Sequence, residues 1–262
     1  MSRPSAESRG PAGEALRTYA ADLHVHTVLS PCAAREMLPP LIVSRARLRG
    51  LDLIAVTDHN ASANAGALQR AAAGAGLTVL PGMELQTSEE VHLLCLFDTL
   101  EQLDAWQRVV DDRMPCEANR PDAFGEQLVV DETGAPLRHE TRLLATSAAL
   151  ALGEAVRGVA ERGGLAIPAH VDRPMYSLSG ALGFPPPDLA VDAFEISPHA
   201  TPADARRRFP WLAGAPLVQG GDVHHLDDFA ASTVLVLAAP TIAEIRLALR
   251  GARGRSCTLL PR

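Results

Sequence analysis

The sequence contains no lysine, since all 24 of its basic residues are arginine. That absence excludes Schiff-base lysines, lysine general bases and the phosphate-loop lysine as functional groups. A fixed cation facing an anionic substrate would therefore be an arginine or a metal ion. Acidic residues number 31, so that the net charge is −7 and disfavours long-range attraction of phosphate backbones. Long nucleic acid is not expected as a partner.

Cysteine is also scarce. Cys32, Cys95, Cys116 and Cys257 show no CxxC spacing, which argues against a zinc ribbon or a disulfide framework and favours a reducing cytoplasm. No run of about 18 apolar residues occurs, and the N-terminus lacks the charged-then-apolar pattern of a signal peptide, so no membrane association is expected. Residues 1–19, rich in Ser, Gly, Pro and Ala, are predicted to form a flexible tail.

The rest of the chain predicts one α/β domain over residues 20–262. An apolar fraction of 47% is sufficient for a large core. Short apolar runs alternate with longer Ala/Leu/Arg segments, the pattern of parallel strands alternating with helices. The predicted strands cover residues 21–26, 53–58, 77–84, 91–97, 165–170, 193–196, 217–222 and 233–237. The predicted helices cover residues 39–49, 63–75, 100–111, 147–162, 203–213 and 242–250. An insertion at about 117–144 interrupts the alternation, and Glu132-Thr133-Gly134 predicts the turn of a small β-hairpin within it.

Histidine and carboxylate side chains stand at the ends of six predicted strands. His24 and His26 close the first strand; because side chains alternate with a period of two, both point to one face and can bind one cation together. Asp22 shares that parity and could orient a ligand. The other strand ends carry His59, Glu84, His92, His170 and the pair Asp222 and His224. In an α/β barrel the carboxyl ends of the strands converge on one face, and burying so many unpaired polar groups is costly. The pattern therefore predicts metal coordination.

These residues lie in recognisable motifs. The motifs are Asp22-Leu-His-Val-His-Thr-Val-Leu-Ser30, Leu53-Ile-Ala-Val-Thr-Asp-His-Asn60, Pro81-Gly-Met-Glu84, His92, Pro168-Ala-His170 and Gly221-Asp-Val-His224. Their order and spacing, from about residue 20 to 240, resemble the PHP (polymerase and histidinol phosphatase) domain family. The resemblance implies a distorted (β/α)7 barrel with two or three divalent ions, Zn, Mn or Fe, in a trinuclear site that hydrolyses phosphoesters.

The resemblance also implies a distribution of the ligands among the metals. His24, His26, Glu84 and Asp222 would hold one metal, and Glu84 would bridge to a second held by His92 and His170. His59 and His224 would serve the third. In many family members a histidine occupies the position of Cys32. The Cys32 thiolate could replace that imidazole as a soft ligand for Zn or Fe, or Cys32 could only pack beneath its loop and leave the third metal weak or absent.

The expected reaction is hydrolysis of a small phosphomonoester or phosphodiester, nucleotide-like or histidinol-phosphate-like, with a metal-bridging hydroxide as nucleophile. His224, or Asp58 through a water, is the expected acid for the leaving group. Arg173 is expected to bind the substrate phosphate with its planar fork, unless it only pairs with Asp172. Arg35 is a second candidate for substrate binding.

Three alternatives remain open. A 3′–5′ exonuclease acting on short oligonucleotides is disfavoured by the net charge and by the absence of a polymerase or helix-hairpin-helix module, and Arg206-Arg207-Arg208 is better interpreted as an exposed helix face. A non-catalytic metal-binding PHP domain is disfavoured by the nearly intact ligand set. An amidohydrolase barrel would share the HxH motif, but its metal-bridging residue is often a modified lysine. The sequence specifies neither the substrate, the metal nor the oligomeric state.

Overall fold

Strands and helices alternate along most of the chain. A computed structural model describes residues 15–230 and 232–260, and within them the chain forms eleven strands and eight α-helices. The strands are β1 (Arg17–Val25), β2 (Leu53–Val56), β3 (Thr78–Gln86), β4 (His92–Leu96), β5 (Leu128–Val130), β6 (Pro136–His139), β7 (Leu165–Pro168), β8 (Phe194–Ile196), β9 (Leu217–Gln219), β10 (Thr233–Leu237) and β11 (Ser256–Leu259). The helices are α1 (Pro39–Leu48), α2 (Ala65–Ala72), α3 (Leu100–Asp111), α4 (Pro121–Phe124), α5 (Leu152–Glu161), α6 (Leu178–Ala181), α7 (Pro202–Arg208) and α8 (Ile242–Leu249). The α/β class expected from the sequence is confirmed.

Seven of the strands form one curled sheet in the order β11-β10-β1-β2-β3-β4-β7. The pairs β1–β2 and β2–β3 are parallel, as expected. The expectation of parallel strands is wrong for β10, which is antiparallel to β1. It is also wrong at β4, which is antiparallel to both β3 and β7. The reason is that only five residues join β3 to β4, too few for the helical crossover that a parallel pair requires.

A separate parallel pair, β8–β9, accompanies the curled sheet. The Val171 amide, just beyond β7, donates to the Glu195 carbonyl of β8. On the other side, the Gln219 amide of β9 donates to the hydroxyl of Thr233 in β10. The pair is thus tied to both flanks of the sheet. The strand pairing gives a half-barrel sheet and an added pair rather than seven equivalent β/α units.

Several boundaries differ from the sequence expectation; for example, α5 begins at Leu152 instead of residue 147. The expected tail reaches residue 19, but Arg17–Tyr19 belong to β1 and pair with Leu235–Leu237 of β10, because this pairing satisfies their backbone groups. The rest of the expected tail, residues 1–14, lies outside the described residues. Helix α7 ends at Arg208 instead of continuing to residue 213, because Pro210 removes a backbone donor and restricts the residue before it.

The apolar strands are buried on both faces. Leu53 and Ala55 of β2 join one buried cluster with Leu23, whereas the intervening Ile54 and Val56 join another that extends beneath the helices. Burial on both faces explains why the strand sequences are continuous apolar runs rather than alternating ones. Among the described residues no helix is long and apolar enough to cross a membrane.

The segment at 117–144 packs on the loop that follows β1. Its strands β5 and β6 pair in antiparallel fashion. The Leu128 amide donates to the Val28 carbonyl, and the Asn64 side chain donates to both the Leu128 carbonyl and the Thr27 hydroxyl. Gly125 has a φ of +102°, and a Cβ at this position would lie 2.1 Å from the Pro31 carbonyl oxygen. The segment therefore requires glycine here to approach the loop.

Candidate metal centre

Glu84, at the end of β3, is the centre of a cluster of histidines. Its side chain is fully buried. Five imidazole nitrogens lie within 3.4 Å of its carboxylate oxygens: His24 Nε2 at 3.2 Å, His26 Nε2 at 3.4 Å, His59 Nδ1 at 3.0 Å, His92 Nδ1 at 2.9 Å and His170 Nε2 at 3.3 Å. These histidines come from β1, β4 and the ends of β2 and β7. The expected convergence of carboxyl ends holds except at β4, where His92 is the first residue; because β4 is antiparallel to its neighbours, its amino end lies at this face.

Asp222 completes a group of four ligand-type side chains. Its Oδ1 lies 3.1 Å from His24 Nε2 and 3.2 Å from His26 Nε2. One ligand atom from each of these three residues and from Glu84 all lie within 4.8 Å of one another. This is the quartet to which the sequence resemblance gives one metal. The spacing suits one cation, since ligand atoms about 2 Å from an ion are separated by about twice that distance at most.

Two further groups of ligand atoms meet the same 4.8 Å limit. His26, His59 and His224 form one, and His59, Glu84 and His92 form the other. His59 is therefore close to both Glu84 and His224. The resemblance pairs His92 with His170, and the structure places the imidazoles of those two residues 5.4 Å apart, centre to centre. Every histidine expected as a ligand thus lies in the cluster.

The backbone is in the left-handed region at three strand ends. Asn60 has a φ of +49°, His170 of +30° and Asp222 of +48°. Such angles cost energy in residues other than glycine and persist only where the surroundings hold them. At Asn60 the side chain donates to two carbonyls and accepts from the Gln86 amide at 2.9 Å. These turns redirect the chain where the strands meet the cluster.

Glu195 in β8 supports the cluster from behind and was not among the residues predicted from the sequence. Its Oε2 lies 3.0 Å from His24 Nδ1 and accepts from the His170 amide at 3.0 Å. By accepting from Nδ1, the carboxylate leaves His24 Nε2 facing Glu84 and Asp222. An acidic residue between Phe194 and Ile196, in a buried strand, was the signal that could have identified it.

Asp58 has a different role from the one expected. Its Oδ1 accepts from the Thr27 amide and from the Ser30 hydroxyl, both at 2.7 Å, and its Oδ2 accepts from the Thr27 hydroxyl. Since Ser30 donates to Asp58, it accepts from His26 Nδ1 at 2.9 Å. Asp58 is thus occupied by these donors and orients His26 through Ser30. Its expected role as a leaving-group acid is not supported by this position.

The charges within the cluster balance one another. Burial opposes protonation of His24, but the carboxylates of Glu84, Glu195 and Asp222 outweigh it and raise the pKa of His24 well above its usual range. For His26, burial is likewise outweighed by Asp222 and Glu84, and its pKa is raised to about 9. Despite burial, the histidines hold the pKa of Glu84 well below its ordinary value. The buried carboxylates therefore favour the protonated form of the His24 and His26 imidazoles.

His224 is the exception among the histidines near Asp222. Burial, reinforced by the positive charge of His26, lowers the pKa of His224 to about 3. Its Nδ1 lies 2.8 Å from the Asp222 carbonyl, and Nε2 lies 3.0 Å from the Cys32 thiol. A neutral imidazole is suited to metal ligation and is a poor proton donor. A cavity of about 490 Å³ opens beside the cluster and is lined by Cys32 and His224, among others. Cys32 is therefore exposed and does not pack beneath its loop.

The residues present fit a group of divalent cations. Imidazole nitrogens and carboxylate oxygens are the donors that Zn, Mn and Fe accept. His92 Nε2 and His170 Nδ1 are buried and have no hydrogen-bond partner among the described residues. Unpaired buried polar atoms are rare in native proteins. Here two of them lie close together, beside the buried carboxylates of Glu84 and Glu195. This observation, and not the resemblance alone, supports metal binding.

The two expected phosphate-binding arginines differ in position. Arg173 Nη1 lies 2.5 Å from Asp222 Oδ2, and Arg173 lines the cavity. The alternative pairing with Asp172 is wrong, because Asp172 accepts instead from the amide and hydroxyl of Ser197. Arg35 is also not as expected. Its side chain is 89% exposed, and its Nη2 lies 3.7 Å from Glu126 Oε2 in the insertion. Arg35 does not line the cavity and therefore lies away from the cluster.

The arginine run in α7 is engaged within the molecule. Arg206 donates to the Ala215 carbonyl, Arg207 to Asp204 and Arg208 to the Asp172 carbonyl. The contacts take up part of the hydrogen-bonding capacity of each guanidinium group. Each arginine of the run thus has an acceptor within the molecule, which agrees with the interpretation of the run as an exposed helix face.

Comparisons with known proteins agree with this fold. The family model of the PHP domain matches residues 22–156. No curated protein matches the chain. Among solved structures, the lesion-specific endonuclease PfuEndoQ from Pyrococcus furiosus aligns with a TM-score of 0.63 and 20% identity, over 92% of this chain and 58% of that one. The chain thus spans little more than half of that endonuclease.

Two shorter proteins align over most of their lengths. PsfC from Pseudomonas syringae aligns with a TM-score of 0.55 and 17% identity, over 94% of this chain and 92% of that one. A Bifidobacterium adolescentis protein, to which metal-dependent phosphoesterase activity is ascribed, aligns with a TM-score of 0.54 and 17% identity, over 88% and 96%. At these identities the three structures establish a shared fold and nothing about the substrate.

Proposed function

The chain belongs to the PHP domain family, and on that basis we propose that it is a metal-dependent phosphoesterase acting on a small phosphomonoester or phosphodiester. One observation carries the proposal. Five imidazoles surround the buried Glu84 carboxylate, and Asp222 lies beside two of them. An arrangement of this kind is costly to maintain without cations and opens into a cavity of about 490 Å³. Clusters of divalent metals beside a cavity are typical of phosphoester hydrolases.

We assign the ligands as follows. His24, His26, Glu84 and Asp222 hold one ion. Glu84, His92 and His170 hold a second, and His59, His224 and Cys32 serve a third. The closeness of His59 to both Glu84 and His224 supports a site in which neighbouring ions share ligands. Nitrogen and oxygen donors suit Zn, Mn or Fe, and a Cys32 thiolate would favour Zn or Fe at the third position.

The protein supplies the orientation of the substrate. Bound divalent ions would neutralise phosphoryl oxygens and lower the pKa of a water molecule. Arg173 adds a fixed positive charge at the cavity wall. Its Nη1 donates to Asp222, and the remaining N–H donors of the guanidinium can bind a phosphate oxygen. The neutral state of His224 favours its role as a ligand over the role of acid. Glu195 and Ser30 hold His24 and His26 in orientations that present Nε2 to the cluster.

The test combines metal analysis with a substrate panel. Protein loaded with Zn, Mn or Fe should contain two or three ions per chain and hydrolyse at least one member of a broad panel of phosphomonoesters and phosphodiesters. Chelation should abolish the activity. A metal-replete protein that is inactive on the entire panel would overturn the proposal.

A matched pair of histidine variants tests the ligand assignment. His170→Ala should reduce the metal content while the circular dichroism spectrum stays unchanged. His139→Ala is the control, since His139 is exposed on β6 and does not line the cavity. Equal metal content in the two variants would remove His170 from the ligand set.

A further inference from the structure

Two cavities meet at the same three side chains of the candidate metal centre. The first, of about 490 Å³, contains the metal ligands and has an apolar outer wall of Pro174, Met175 and Tyr176. The second, of about 510 Å³, is lined by Pro198, His199, Asp228 and Phe229, among others. Arg173, Asp222 and His224 line both cavities. The point at which we place the substrate phosphate is therefore flanked on two sides by ligand-sized space.

We propose that the substrate is a phosphodiester with one ester arm in each cavity, a planar arm against Tyr176 and a second arm beside His199. The proposal rests on the phosphoesterase function proposed above and specifies its substrate class. Each volume is within the 300–1,000 Å³ that is typical of small-molecule sites. A monoester would place its single arm in one cavity and leave the other without a ligand group.

Tyr176 forms part of the wall of the first cavity. Its ring is stacked on the His92 imidazole, with centroids 5.0 Å apart and planes inclined by 19°. Its φ is +54°, and its carbonyl accepts from the His92 amide, a bond that holds the residue in this strained conformation. The tyrosine is 43% exposed, so that part of the ring remains accessible. A planar group such as a nucleobase or an aryl ring can stack against it.

His199 belongs to the second cavity alone. It follows β8, and its amide donates to the Ser197 hydroxyl, which in turn donates to Asp172. These bonds fix the loop at the cavity wall. Arg173 stands between the two cavities, and its donors can therefore bind a phosphate whose arms extend in both directions.

The reaction balances as a simple hydrolysis. A water oxygen forms a bond to phosphorus, and the bond from phosphorus to the oxygen of one arm breaks. That arm leaves as an alcohol and takes up a proton that the water has lost. The other arm remains on the product, which is a phosphomonoester.

The first test compares a diester with a monoester. We would measure kcat/KM of the metal-loaded protein for the 4-nitrophenyl ester of thymidine 5′-monophosphate and for 4-nitrophenyl phosphate. His199→Ala should reduce the value for the diester about tenfold, as expected for the loss of a contact to one arm, and leave the monoester value unchanged. His225→Ala is the control, because this histidine is exposed and lines neither cavity.

The second test measures binding without turnover. Phenylphosphonate should bind more tightly than methylphosphonate in calorimetry, and Tyr176→Ala should reduce that preference about two- to tenfold, the range of aromatic stacking. Tyr176→Phe should retain it. Phe184→Ala, which changes an exposed aromatic residue outside the cavity, should have no effect.

The results separate the two proposals. Hydrolysis of monoesters alone, or an equal effect of His199→Ala on both esters, would overturn the diester inference and leave the phosphoesterase function intact. If the metal-loaded protein hydrolyses no member of the broad panel, the phosphoesterase function fails, and calorimetry decides whether the two ester arms bind in the two cavities. In that case the 2-hydroxyethyl ester of phenylphosphonate should lose affinity in His199→Ala while phenylphosphonate should not, and equal losses would refute the inference.

Discussion

Replacing Glu195 by glutamine tests whether a residue outside the metal ligands controls metal binding. Glu195 is 1% exposed, and one of its oxygens serves both His24 Nδ1 and the His170 amide. Glutamine has nearly the same shape and retains an oxygen that can accept both bonds. It removes the negative charge that makes His24 a more basic ligand. The substitution therefore changes the electrostatics of the ligand while keeping the packing of β8.

The expected magnitude follows from these contacts. Loss of a partner that orients a ligating histidine typically weakens metal affinity 10- to 100-fold, or about 1.4 to 2.7 kcal/mol. Glu195→Ala should differ in kind, because it leaves two buried donors without an acceptor at a cost of about 1–3 kcal/mol each. Glutamine should thus act mainly on metal affinity, and alanine also on the free energy of unfolding.

The assay is competition for Zn²⁺ between the protein and a chromogenic chelator, together with thermal unfolding of the metal-free protein. Glu154→Gln is the matched control, since Glu154 forms an exposed ion pair with Arg113 on the surface of the molecule. A Glu195→Gln protein that folds normally and binds Zn²⁺ as tightly as the wild type would refute the reasoning. Glu195 would then be only a packing residue of β8.

Three further predictions concern other parts of the site. Arg173→Ala should reduce kcat/KM about 30-fold, or ~2 kcal/mol, as expected for losing a charge-assisted bond to an anion, and full activity would contradict this role. The substitution should also weaken metal binding, because the guanidinium holds Asp222; unchanged affinity for Zn²⁺ would contradict this second effect. Cys32→Ser should remove the thiolate charge-transfer absorption of the Co²⁺-substituted protein, and a wild-type protein without that absorption would exclude Cys32 as a ligand. Gly220→Ala should destabilise the fold by about 1–3 kcal/mol in denaturant titration, because its Cβ would lie 2.1 Å from a buried carboxylate oxygen. Gly153→Ala in α5 is the control; its Cβ would meet only a flexible arginine at 3.5 Å, and equal effects would refute the steric argument.

The ligand-type side chains could be located from the sequence because the inference needed little three-dimensional detail. His24 and His26 required only the period of a strand, and the others required only that strand ends meet on one face. Roles that depend on long-range partners were not accessible in this way. Asp58 is occupied by donors from the loop after β1, and Glu195 reaches a histidine 171 residues away. Arg35 follows the same loop but extends to solvent, which no local pattern distinguishes.

The fold shows the same division. Apolar runs predicted the strands well, because burial on both faces gives a continuous signal. The alternation of strands and helices predicts a parallel strand at β4, and this direction is wrong because the connection at residues 87–91 is too short for a helical crossover. Likewise Tyr176 acquires its position from the bond between its carbonyl and the His92 amide, two segments far apart in the chain. Such pairings are set by the assembled structure.

The packing of the 117–144 segment has a consequence for the order of folding. The loop that carries Ser30 and Cys32 is held by Leu128 and by the close approach of Gly125. These contacts join residues about one hundred positions apart, and contacts of high sequence separation form slowly because the intervening chain must first lose its freedom. We therefore expect β1 and β2 to pair before this loop is fixed. The ligand environment around His26 would then be completed late, when the distant 117–144 segment docks, and a metal ion would bind to a scaffold whose strands are already in place.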